Sequence, residues 1–510
     1  MHGFWRATLA AASLSCLLVA CVGRVEPVGP PHRIESHALP NPDTATRLGG
    51  FFAGAARAHP GLSGFDLVTS GRTAFEARYA FAHLAERTID AQYFLWADDA
   101  TGRNLLRALL DAADRGVRVR LLIDDLNRPG ADIDLAALNA YPNIQVRLFN
   151  PFTAVDFVTD FARVNHRMHD KAFIVDNAIA VAGGRNIADQ YFQVSDESNF
   201  RDLDLLAVGP IVREISDEFD EFWNSPWATS VRKVDGARPG PEEVKAAAAR
   251  LRAEVASTPY PFKTVLSDAD LERLVDTVPA RLAWGKATLL FDAPNKPATE
   301  VPELADELRA NVSGTLKREV LLEVAYFIPS EHGVERLCAR VAQGVAIRIL
   351  TNSLASTDEI SAYAGYMHYR DQLLHCGVEL HELRPDAAFV AREWTWLQTR
   401  SEAELHTKAA VFDRKKVMIG SFNLDPRSRY LNTEIAVLVE SPELAAKVTQ
   451  FIDRDMSLAN SFRLELVDDD VVWVAEEGGR EVRFRHAPVT SIWRRLKADL
   501  ISVLPVEELL

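Results

Sequence analysis

One pattern of strands and helices occurs twice along this chain, and the repeat strongly limits the folds that it can adopt. Each copy predicts a strand, a helix followed by a glycine, and a second strand. These elements lie at residues 88–96, 102–115 and 117–123 in the first copy, and at 320–328, 333–343 and 345–350 in the second. A further strand follows in each copy, at 144–149 and 378–383. Strands that alternate with helices form α/β units, so the duplication predicts an α/β chain with two related lobes.

Both copies lead into the same short motif, His-x-Lys-x4-Asp, in which x is any residue. The motif residues are His169, Lys171 and Asp176 in the first copy, and His406, Lys408 and Asp413 in the second. We count all six as catalytic, although a structural role is an equal alternative for the two aspartates. An asparagine follows each histidine by 17 residues, Asn186 in the first copy and Asn423 in the second. A random chain of this composition would contain the motif only about 0.02 times, so two matched copies indicate a functional site.

The residue types in the motif suit the transfer of a phosphodiester. The histidine and the lysine are two residues apart, so on a strand both side chains project from one face. Lysine supplies positive charge to phosphate oxygens, while Asn186, Asn423 and Ser421 are the expected neutral phosphate-binding donors. With the two copies face to face, one histidine can attack phosphorus while the other protonates the departing oxygen. This chemistry requires no cofactor and no metal, and the sequence has no cluster of ligands with zinc spacing.

A carboxylate after each motif is expected to orient a histidine by binding its second ring nitrogen. Alignment of the segments 201–208 and 432–437 pairs Asp204 with Glu434, which are therefore the predicted orienting residues. Asp202 is the alternative to Asp204, and the alignment favours Asp204.

The motifs resemble those of the phospholipase D superfamily, and the wider chain is similar to bacterial cardiolipin synthases of the C type. The similarity covers residues 65–510 and includes the segments 147–152, 159–163, 350–354, 420–428 and 502–506. The resemblance implies two α/β/α-sandwich lobes, related by a pseudo-twofold axis, with one active site at their seam. It also implies a phosphohistidine intermediate with His169 as the nucleophile. The first half-site has Gly184 where the second has Ser421, as is also found in cardiolipin synthases.

The resemblance therefore predicts a phosphatidyltransferase that makes cardiolipin from two phospholipids. Phosphatidylglycerol is the expected substrate and phosphatidylethanolamine a second candidate, while the sequence identifies no helper protein. The open alternatives are a hydrolytic phospholipase D, in which water replaces the lipid alcohol, and an exported nuclease. The formal net charge of -15 disfavours the nuclease, since nucleic-acid binders need basic surface to displace counterions from phosphates. We therefore expect no nucleic-acid partner.

The first 21 residues predict export to the cell envelope. Arg6 precedes an apolar run over residues 7–20, which is too short for a stable transmembrane helix. The run ends in Leu-Val-Ala-Cys, which resembles a bacterial lipobox and makes Cys21 the expected lipidation site. An ordinary secretory signal is the alternative. The prediction is a lipoprotein anchored at a membrane surface and facing the periplasm, with the inner or outer membrane left open.

The predicted domains follow from the repeat and from the composition between its copies. They are a lipoprotein signal peptide at 1–21, a linker at 22–60, a first lobe at 61–235 with its motif at 164–191, an inter-lobe segment at 236–285, a second lobe at 286–475 with its motif at 401–428, and a C-terminal segment at 476–510. The C-terminal segment has Trp493 beside basic residues, so it can lie at a membrane surface or pack against the protein. Cys338 and Cys376 form either a disulfide bond or two buried thiols.

Overall fold

The computed structural model of this chain covers both predicted lobes. The structure describes residues 26–27, 35–39, 45–130, 133–258, 260–262, 266–296, 303–394, 396 and 401–503. The predicted signal peptide and its lipidation site Cys21 lie outside the described residues, as does the end of the C-terminal segment.

The first lobe is a mixed sheet with helices on both faces. Its strands are β1 (Ser63–Val68), β2 (Thr88–Tyr93), β3 (Arg118–Asp124), β4 (Ile144–Phe149), β5 (Ala172–Val175), β6 (Ile179–Gly183), β7 (Ser198–Arg201), β8 (Asp204–Val208) and β9 (Ala228–Ser230). Its helices are α1 (Arg47–Ala58), α2 (Gly71–Leu84), α3 (Ala100–Asp114), α4 (Leu135–Ala140), α5 (Ala154–Thr159), α6 (Phe161–Val164), α7 (Pro210–Asn224) and α8 (Val231–Val234).

Two helices connect this lobe to the second one, α9 (Pro241–Ser257) and α10 (Asp268–Asp276). The strands of the second lobe are β10 (Ala283–Phe291), β11 (Glu319–Val324), β12 (Ala346–Asn352), β13 (Glu379–Leu383), β14 (Glu402–Leu405), β15 (Lys408–Phe412), β16 (Lys416–Gly420), β17 (Ile435–Glu440), β18 (Ser461–Val467), β19 (Asp470–Glu477) and β20 (Arg480–Phe484). Its helices are α11 (Glu303–Ser313), α12 (Ser330–Ala342), α13 (Ile360–His375), α14 (Ala388–Glu393), α15 (Pro426–Tyr430), α16 (Pro442–Asp455) and α17 (Ile492–Ser502).

The two sheets have the same strand order. In the first lobe the order is β4-β3-β2-β5-β6-β8-β1, and in the second it is β13-β12-β11-β15-β16-β17-β10. The first three strands of each order are parallel, because a helix crosses over between them. The start of β10 also pairs with β1, with Ser63 opposite Gly285, so the two sheets join near the pseudo-twofold axis. The predicted fold of two related α/β/α lobes is confirmed.

The helices form three layers around the joined sheets. One buried core lies between the lobes and includes α7, α16 and the inner faces of both sheets. A second core lies beneath α2 and α3 on the outer face of the first lobe, and a third lies beneath α12 and α13 on the second. Gly116 and Gly344, which follow α3 and α12, have φ angles of 92° and 87°. Glycine adopts this left-handed conformation without a steric penalty, as the repeat predicted for both helix ends.

The segment predicted as a linker, residues 22–60, is partly structured. Its last part forms α1, whose first turn is capped by the Thr46 hydroxyl. The described residues 35–39 are bonded to the first lobe: Arg120 donates to the carbonyl oxygen of Ser36 at 2.6 Å, and Asn177 donates to that of Leu39 at 2.6 Å. The linker prediction is therefore wrong for these residues, because their backbone groups bind buried side chains of the lobe.

The other two boundaries also move. The inter-lobe helices α9 and α10 pack on the first lobe, where Leu251 and Leu271 join its outer core. The second lobe continues past the predicted limit at 475, because β19 and β20 extend its sheet to Phe484. Within the part of the chain that the structure describes, no helix is both long and apolar enough to cross a bilayer.

The two cysteines of the second lobe form a disulfide bond. The Sγ atoms of Cys338 and Cys376 are 2.10 Å apart. The bond ties α12 to the residue that follows α13, so the alternative of two buried thiols is not observed.

Candidate active site

The motif histidine of the second lobe is positioned by a short parallel sheet that crosses the seam. Strand β14 pairs with β7, and the last pair of the register is Leu405 with Arg201. The next residue after each strand is His406, which follows β14, and Asp202, which follows β7. The Nδ1 atom of His406 lies 2.7 Å from Oδ2 of Asp202. Because the register is parallel, the residues that follow a paired position also lie side by side.

The same arrangement occurs with the lobes exchanged. Met168 forms a parallel bridge with Thr433, and the residues that follow are His169 and Glu434. The Nδ1 atom of His169 lies 2.8 Å from Oε2 of Glu434. Each histidine therefore receives its orienting carboxylate from the opposite lobe.

The prediction of Asp204 as an orienting residue is wrong, and the sheet register explains why. In β8, Asp204 lies opposite Gly183, whereas in β17 the residue opposite the equivalent Gly420 is Ala436. Asp204 thus corresponds to Ala436, and the counterpart of Glu434 lies two residues earlier.

Asp204 has a different role in the described structure. Its carboxylate oxygen Oδ2 lies 3.0 Å from Nη2 of Arg78 and 3.4 Å from Nη1 of Arg185. All three side chains are buried, so Asp204 balances two guanidinium charges inside the first lobe.

The two motif lysines lie beneath the histidines. Lys171 Nζ donates to the carbonyl oxygen of His169 at 2.5 Å, and Lys408 Nζ donates to that of His406 at 2.6 Å. Burial lowers the pKa of Lys171 to about 7 and that of Lys408 to about 8. Burial makes the charged form of both lysines less favourable, and the negative charge of a bound ligand would offset this loss of solvation.

The electrostatics of the site connect all four motif side chains. Burial and then the charges of both lysines lower the pKa of His169 well below its usual range. The pKa of His406 falls for the same reasons, burial first and then the lysine charges. Both shifts favour the neutral imidazole in the free enzyme, in which Nδ1–H donates to the carboxylate and Nε2 carries no proton.

The carboxylate of Glu434 is itself held by hydroxyl groups. Ser421 Oγ donates to Oε2 of Glu434 at 2.5 Å, and Ser428 Oγ donates to Oε1 at 2.7 Å. Burial raises the pKa of Glu434 to about 7, while the charge of Lys171 and both hydroxyl groups oppose the shift. Ser421 was predicted to bind phosphate. The structure corrects this, because its hydroxyl proton points to Glu434.

The glycine of the first half-site is required by the position of Asp202. A Cβ atom on Gly184 would lie 2.2 Å from Oδ1 of Asp202. The shorter aspartate therefore occupies the space in which Ser421 has its side chain in the second half-site. The first half-site has glycine because Asp202 lies against it, and the second has serine because its hydroxyl donates to Glu434.

The two asparagines differ in their partners. Asn186 accepts a hydrogen bond from the Leu95 amide at 3.2 Å and donates one to the Tyr191 hydroxyl at 2.9 Å. Asn423 is buried, and its amide oxygen has no hydrogen-bond partner among the described residues. Asn423 therefore offers an unpaired acceptor oxygen within the described residues, which suits a hydroxyl donor rather than a phosphate oxygen, whereas the amide group of Asn186 is used within the protein.

Two aromatic residues of the site were missed by the sequence prediction. The Tyr191 hydroxyl lies 3.5 Å from Nε2 of His406. The ring of Phe94 lies 5.0 Å from that of His169 and 5.4 Å from Lys171 Nζ. Tyr191 stands five residues after its asparagine, where the second copy has a serine, so comparison of the copies could have identified it.

The motif aspartates do not reach the reacting groups. Asp176 accepts hydrogen bonds from the amides of residues 86–88 at 2.8–3.1 Å, and Asp413 accepts them from the amides of residues 317–319 at 2.7–2.9 Å. Asp176 directly follows β5 and Asp413 directly follows β15, so each lies at the opposite end of its strand from the motif lysine. Their prediction as catalytic residues is wrong, because both carboxylates bind the backbone turn before β2 or β11.

Among the described residues, no three His, Cys, Asp or Glu side chains form a group that could hold a metal ion. The polar groups that meet at the seam are two histidines, two lysines and the two carboxylates that bind a histidine of the opposite lobe.

Comparison with known proteins agrees with this architecture. The family described as cardiolipin synthase, phospholipase D-like domain, matches residues 81–223 and 315–456. Cardiolipin synthase C of Escherichia coli K12 is 40% identical over 469 residues, which cover 89% of this chain and 97% of that protein. Cardiolipin synthase A of Pseudomonas syringae pv. syringae is 27% identical over 403 residues, which cover 78% of this chain and 70% of that protein.

A solved structure shows the same fold. The phosphatidylserine synthase of Haemophilus influenzae superposes with a TM-score of 0.56 at 11% identity, covering 89% of this chain and 98% of that one. The chain therefore belongs to the phospholipase D-like cardiolipin synthases, and the prediction of a phospholipase D-type phosphatidyltransferase is confirmed.

Proposed function

We propose that this enzyme makes cardiolipin from two phospholipids through a phosphohistidine intermediate. The observation that carries the proposal is the pair of histidines, each with its Nδ1 atom bonded to a carboxylate of the opposite lobe. Such a pair can supply a nucleophile and a separate proton donor to one phosphate. The names of the related cardiolipin synthases support the choice of lipid.

In the first step, His169 acts as the nucleophile. Its Nε2 lone pair forms a bond to phosphorus, while Glu434 stabilises the positive charge that develops on the ring. The bond from phosphorus to the glycerol oxygen of the leaving headgroup breaks. Protonated His406 donates its proton to that oxygen, so the departing group leaves as a neutral alcohol.

Substrate binding prepares these protonation states. The two lysines of the free enzyme disfavour a proton on His406, and a bound phosphodiester brings a negative charge that offsets them. Lys171, Lys408 and the side-chain N–H groups of Asn423 then donate to the non-bridging oxygens. The same contacts strengthen as charge accumulates on those oxygens in the transition state.

In the second step, the alcohol of a second phospholipid attacks the phosphohistidine. His406, now neutral, accepts the hydroxyl proton, and the bond from phosphorus to His169 breaks. Phosphatidylglycerol as both donor and acceptor would yield cardiolipin and glycerol. Water in place of the lipid alcohol would yield phosphatidic acid, which is the hydrolytic alternative.

The enzyme works at a membrane surface of the cell envelope, facing the periplasm, with Cys21 as a lipid anchor. The disulfide bond supports an oxidising compartment. A nucleic-acid partner is disfavoured by the net charge of -15.

Two exposed apolar surfaces support contact with lipid. On α17, Trp493 and Leu500 are exposed while Arg494 donates to the carbonyl oxygen of Leu354 at 2.7 Å. In the first lobe, Val158 and Phe157 of α5 are exposed. Both surfaces lie near the C-terminal ends of parallel strands, α5 after β4 and α17 beside the residues that follow β12. The histidines lie at the same end of the sheets. This arrangement would bring the seam to the bilayer.

Lipid turnover tests the function. The full chain is supplied with mixed micelles of phosphatidylglycerol and phosphatidylethanolamine, and the products are identified by mass spectrometry. Cardiolipin with release of glycerol is the expected result, and His406→Ala is the inactive control. Phosphatidic acid alone would favour hydrolysis, and the absence of both products would contradict the lipid function.

Labelling of wild-type and Cys21→Ser protein with palmitate tests the anchor.

A further inference from the structure

The outer face of the second lobe contains an apolar groove between α11 and α12. Its volume is about 570 Å³, within the range of small-molecule sites. Leu308 and Val312 of α11 form one wall, and Leu337 of α12 forms the other. Leu322 and Phe412, from adjacent strands of the sheet, line its floor. The groove therefore follows the strand direction toward the catalytic end of the lobe.

In the described residues of the first lobe, the equivalent helix layer is covered by further helices. There α2 packs along α3, and α9 and α10 cover the pair. Leu109 of α3 and Leu337 of α12 both stand seven residues before the glycine that follows their helix. Leu109 is 2% exposed, whereas Leu337 is half-buried. The duplicated helix layer is closed in one lobe and open in the other.

The groove shares a wall with the active site. Phe422 and Leu424 line the groove, and they alternate along the chain with Ser421 and Asn423 of the catalytic site. Successive side chains of an extended segment point to opposite sides. One four-residue segment thus separates the phosphate site from the apolar groove.

One wall of the groove is fixed by a covalent bond. Cys338, which follows Leu337 on α12, forms the disulfide bond to Cys376. This bond ties α12 to α13, on the side away from α11. At one end of the groove, Arg340 of α12 donates to the carbonyl oxygen of Ser313 in α11 at 3.1 Å, so α12 is tied to both neighbouring helices.

The groove also offers positive charge and an unused donor. Arg336 and Arg429 are among its lining residues. The Nε–H group of Arg429 is buried and has no hydrogen-bond partner within the described residues. A ligand with an apolar chain and an acceptor oxygen at one end would satisfy both features.

We propose that this groove binds one acyl chain of the phospholipid whose phosphodiester lies between His169 and His406. The proposal rests on the proposed function. The ester carbonyl of the lipid accepts the hydrogen bond of Arg429 at the catalytic end, and the hydrocarbon extends between α11 and α12. The second lobe thereby selects phospholipids by chain length, a role that the covered first lobe does not share.

Photolabelling locates the chain without requiring turnover. The probe is phosphatidylglycerol with a diazirine near the end of one 16-carbon chain, in micelles with the full-length protein. After irradiation, the modified peptides are identified by mass spectrometry. We expect the label on peptides from α11 and α12. Label confined to α5, to α17 or to the first-lobe helices would overturn the proposal, whether or not the enzyme makes cardiolipin.

A matched pair of variants tests the consequence for selectivity. Ala339 lines the groove and Ala342 is an exposed residue of the same helix that does not line it. Ala339→Trp should lower the labelling of α12 and reduce the kcat/KM preference for 16-carbon over 6-carbon phosphatidylglycerol by tenfold or more. Ala342→Trp should retain both properties, which controls for the cost of tryptophan in the helix.

The outcomes separate this proposal from the proposed function. Cardiolipin synthesis with the same chain preference in wild type and Ala339→Trp would overturn the groove alone. Label on α11 and α12 without any lipid product would support the groove and contradict the catalytic function. Thermal unfolding of each variant confirms that the comparison is made between folded proteins.

Discussion

The two half-sites share one backbone arrangement but hold their histidines differently. His169 is bonded to Glu434, a longer acid that accepts two serine hydroxyl groups. His406 is bonded to Asp202, a shorter acid beside Gly184, and has the Tyr191 hydroxyl near its Nε2 atom. Duplication thus retained the register that brings each carboxylate across the seam. The surrounding side chains diverged, as expected for two histidines with different duties in one reaction.

The largest expected effect comes from removing either histidine. His169→Ala and His406→Ala should each lower the rate by about two to four orders of magnitude, because one lacks the nucleophile and the other the proton donor. A lipid analogue with a nitrophenol leaving group needs no proton donor. With it, His406→Ala should accumulate phosphohistidine at His169, detected by mass spectrometry. An adduct on residue 406 in His169→Ala would reverse the assignment.

The next effect separates the two neighbouring aspartates. Asp202→Asn should lower kcat by about two to three orders of magnitude, because His406 loses its charged partner. Asp204→Asn should leave kcat of the folded enzyme within about tenfold. It should instead lower the free energy of unfolding by about 3–5 kcal/mol, since Arg78 loses a buried counter-charge. Rates and urea unfolding curves measure both, and the opposite pattern would restore the alignment-based assignment.

Alanine substitution of Gly184 and of Ser421 tests why the two half-sites differ. Gly184→Ala places a Cβ atom 2.2 Å from Oδ1 of Asp202, so this carboxylate must move away from His406. We expect a decrease in kcat of about ten- to a hundredfold. Ser421→Ala removes one of two donors to Glu434 and should cost about tenfold or less. Equal effects of the two changes on the measured kcat would contradict the steric explanation.

The motif aspartates should affect stability rather than catalysis. Asp176→Asn should lower the free energy of unfolding by about 1–3 kcal/mol, because an amide cannot accept all three backbone hydrogen bonds. Asp413→Asn should cost less, since Asp413 is partly exposed while Asp176 is buried. Urea denaturation measures both. A loss of kcat in the folded Asp176→Asn protein would return this residue to the catalytic set.

The smallest effect is a proton taken up on binding. At pH 8, Lys171 with a pKa of about 7 is mostly neutral, and Lys408 with a pKa of about 8 is half protonated. A bound phosphodiester favours the charged form of each lysine and therefore raises both pKa values. Binding of a phosphonate analogue should therefore take up more protons at pH 8 than at pH 6, by on the order of one, because both lysines are already charged at pH 6 whereas His406 gains its proton at either pH.

Calorimetry in two buffers with different ionisation enthalpies measures this uptake. Lys171→Met should remove the larger part of the difference between pH 8 and pH 6, and Lys408→Met the smaller part. Equal proton uptake at the two pH values would show that both lysines are already charged in the free enzyme at pH 8.

The local sequence predicted the repeated elements well, and it identified the histidines and lysines that meet at the seam. Strand and helix periodicity, the glycines after α3 and α12, and the matched His and Lys spacings are all local patterns, and the structure places these residues as expected. Alignment of short segments was less reliable. It shifted the orienting acid by two residues, a shift that keeps the same face of a strand and so leaves no trace in the hydrophobic pattern.

The sequence by itself determined the duplicated α/β lobes, the two motif histidines and lysines, and the family. Only the tertiary structure decided that Asp202 orients His406, that Ser421 supports Glu434, and that Asp176 and Asp413 bind the backbone. Those contacts join residues distant in the chain, many of them on opposite sides of the seam. The physical reason is that a side chain's partners depend on strand register and lobe docking, which local residue patterns do not encode.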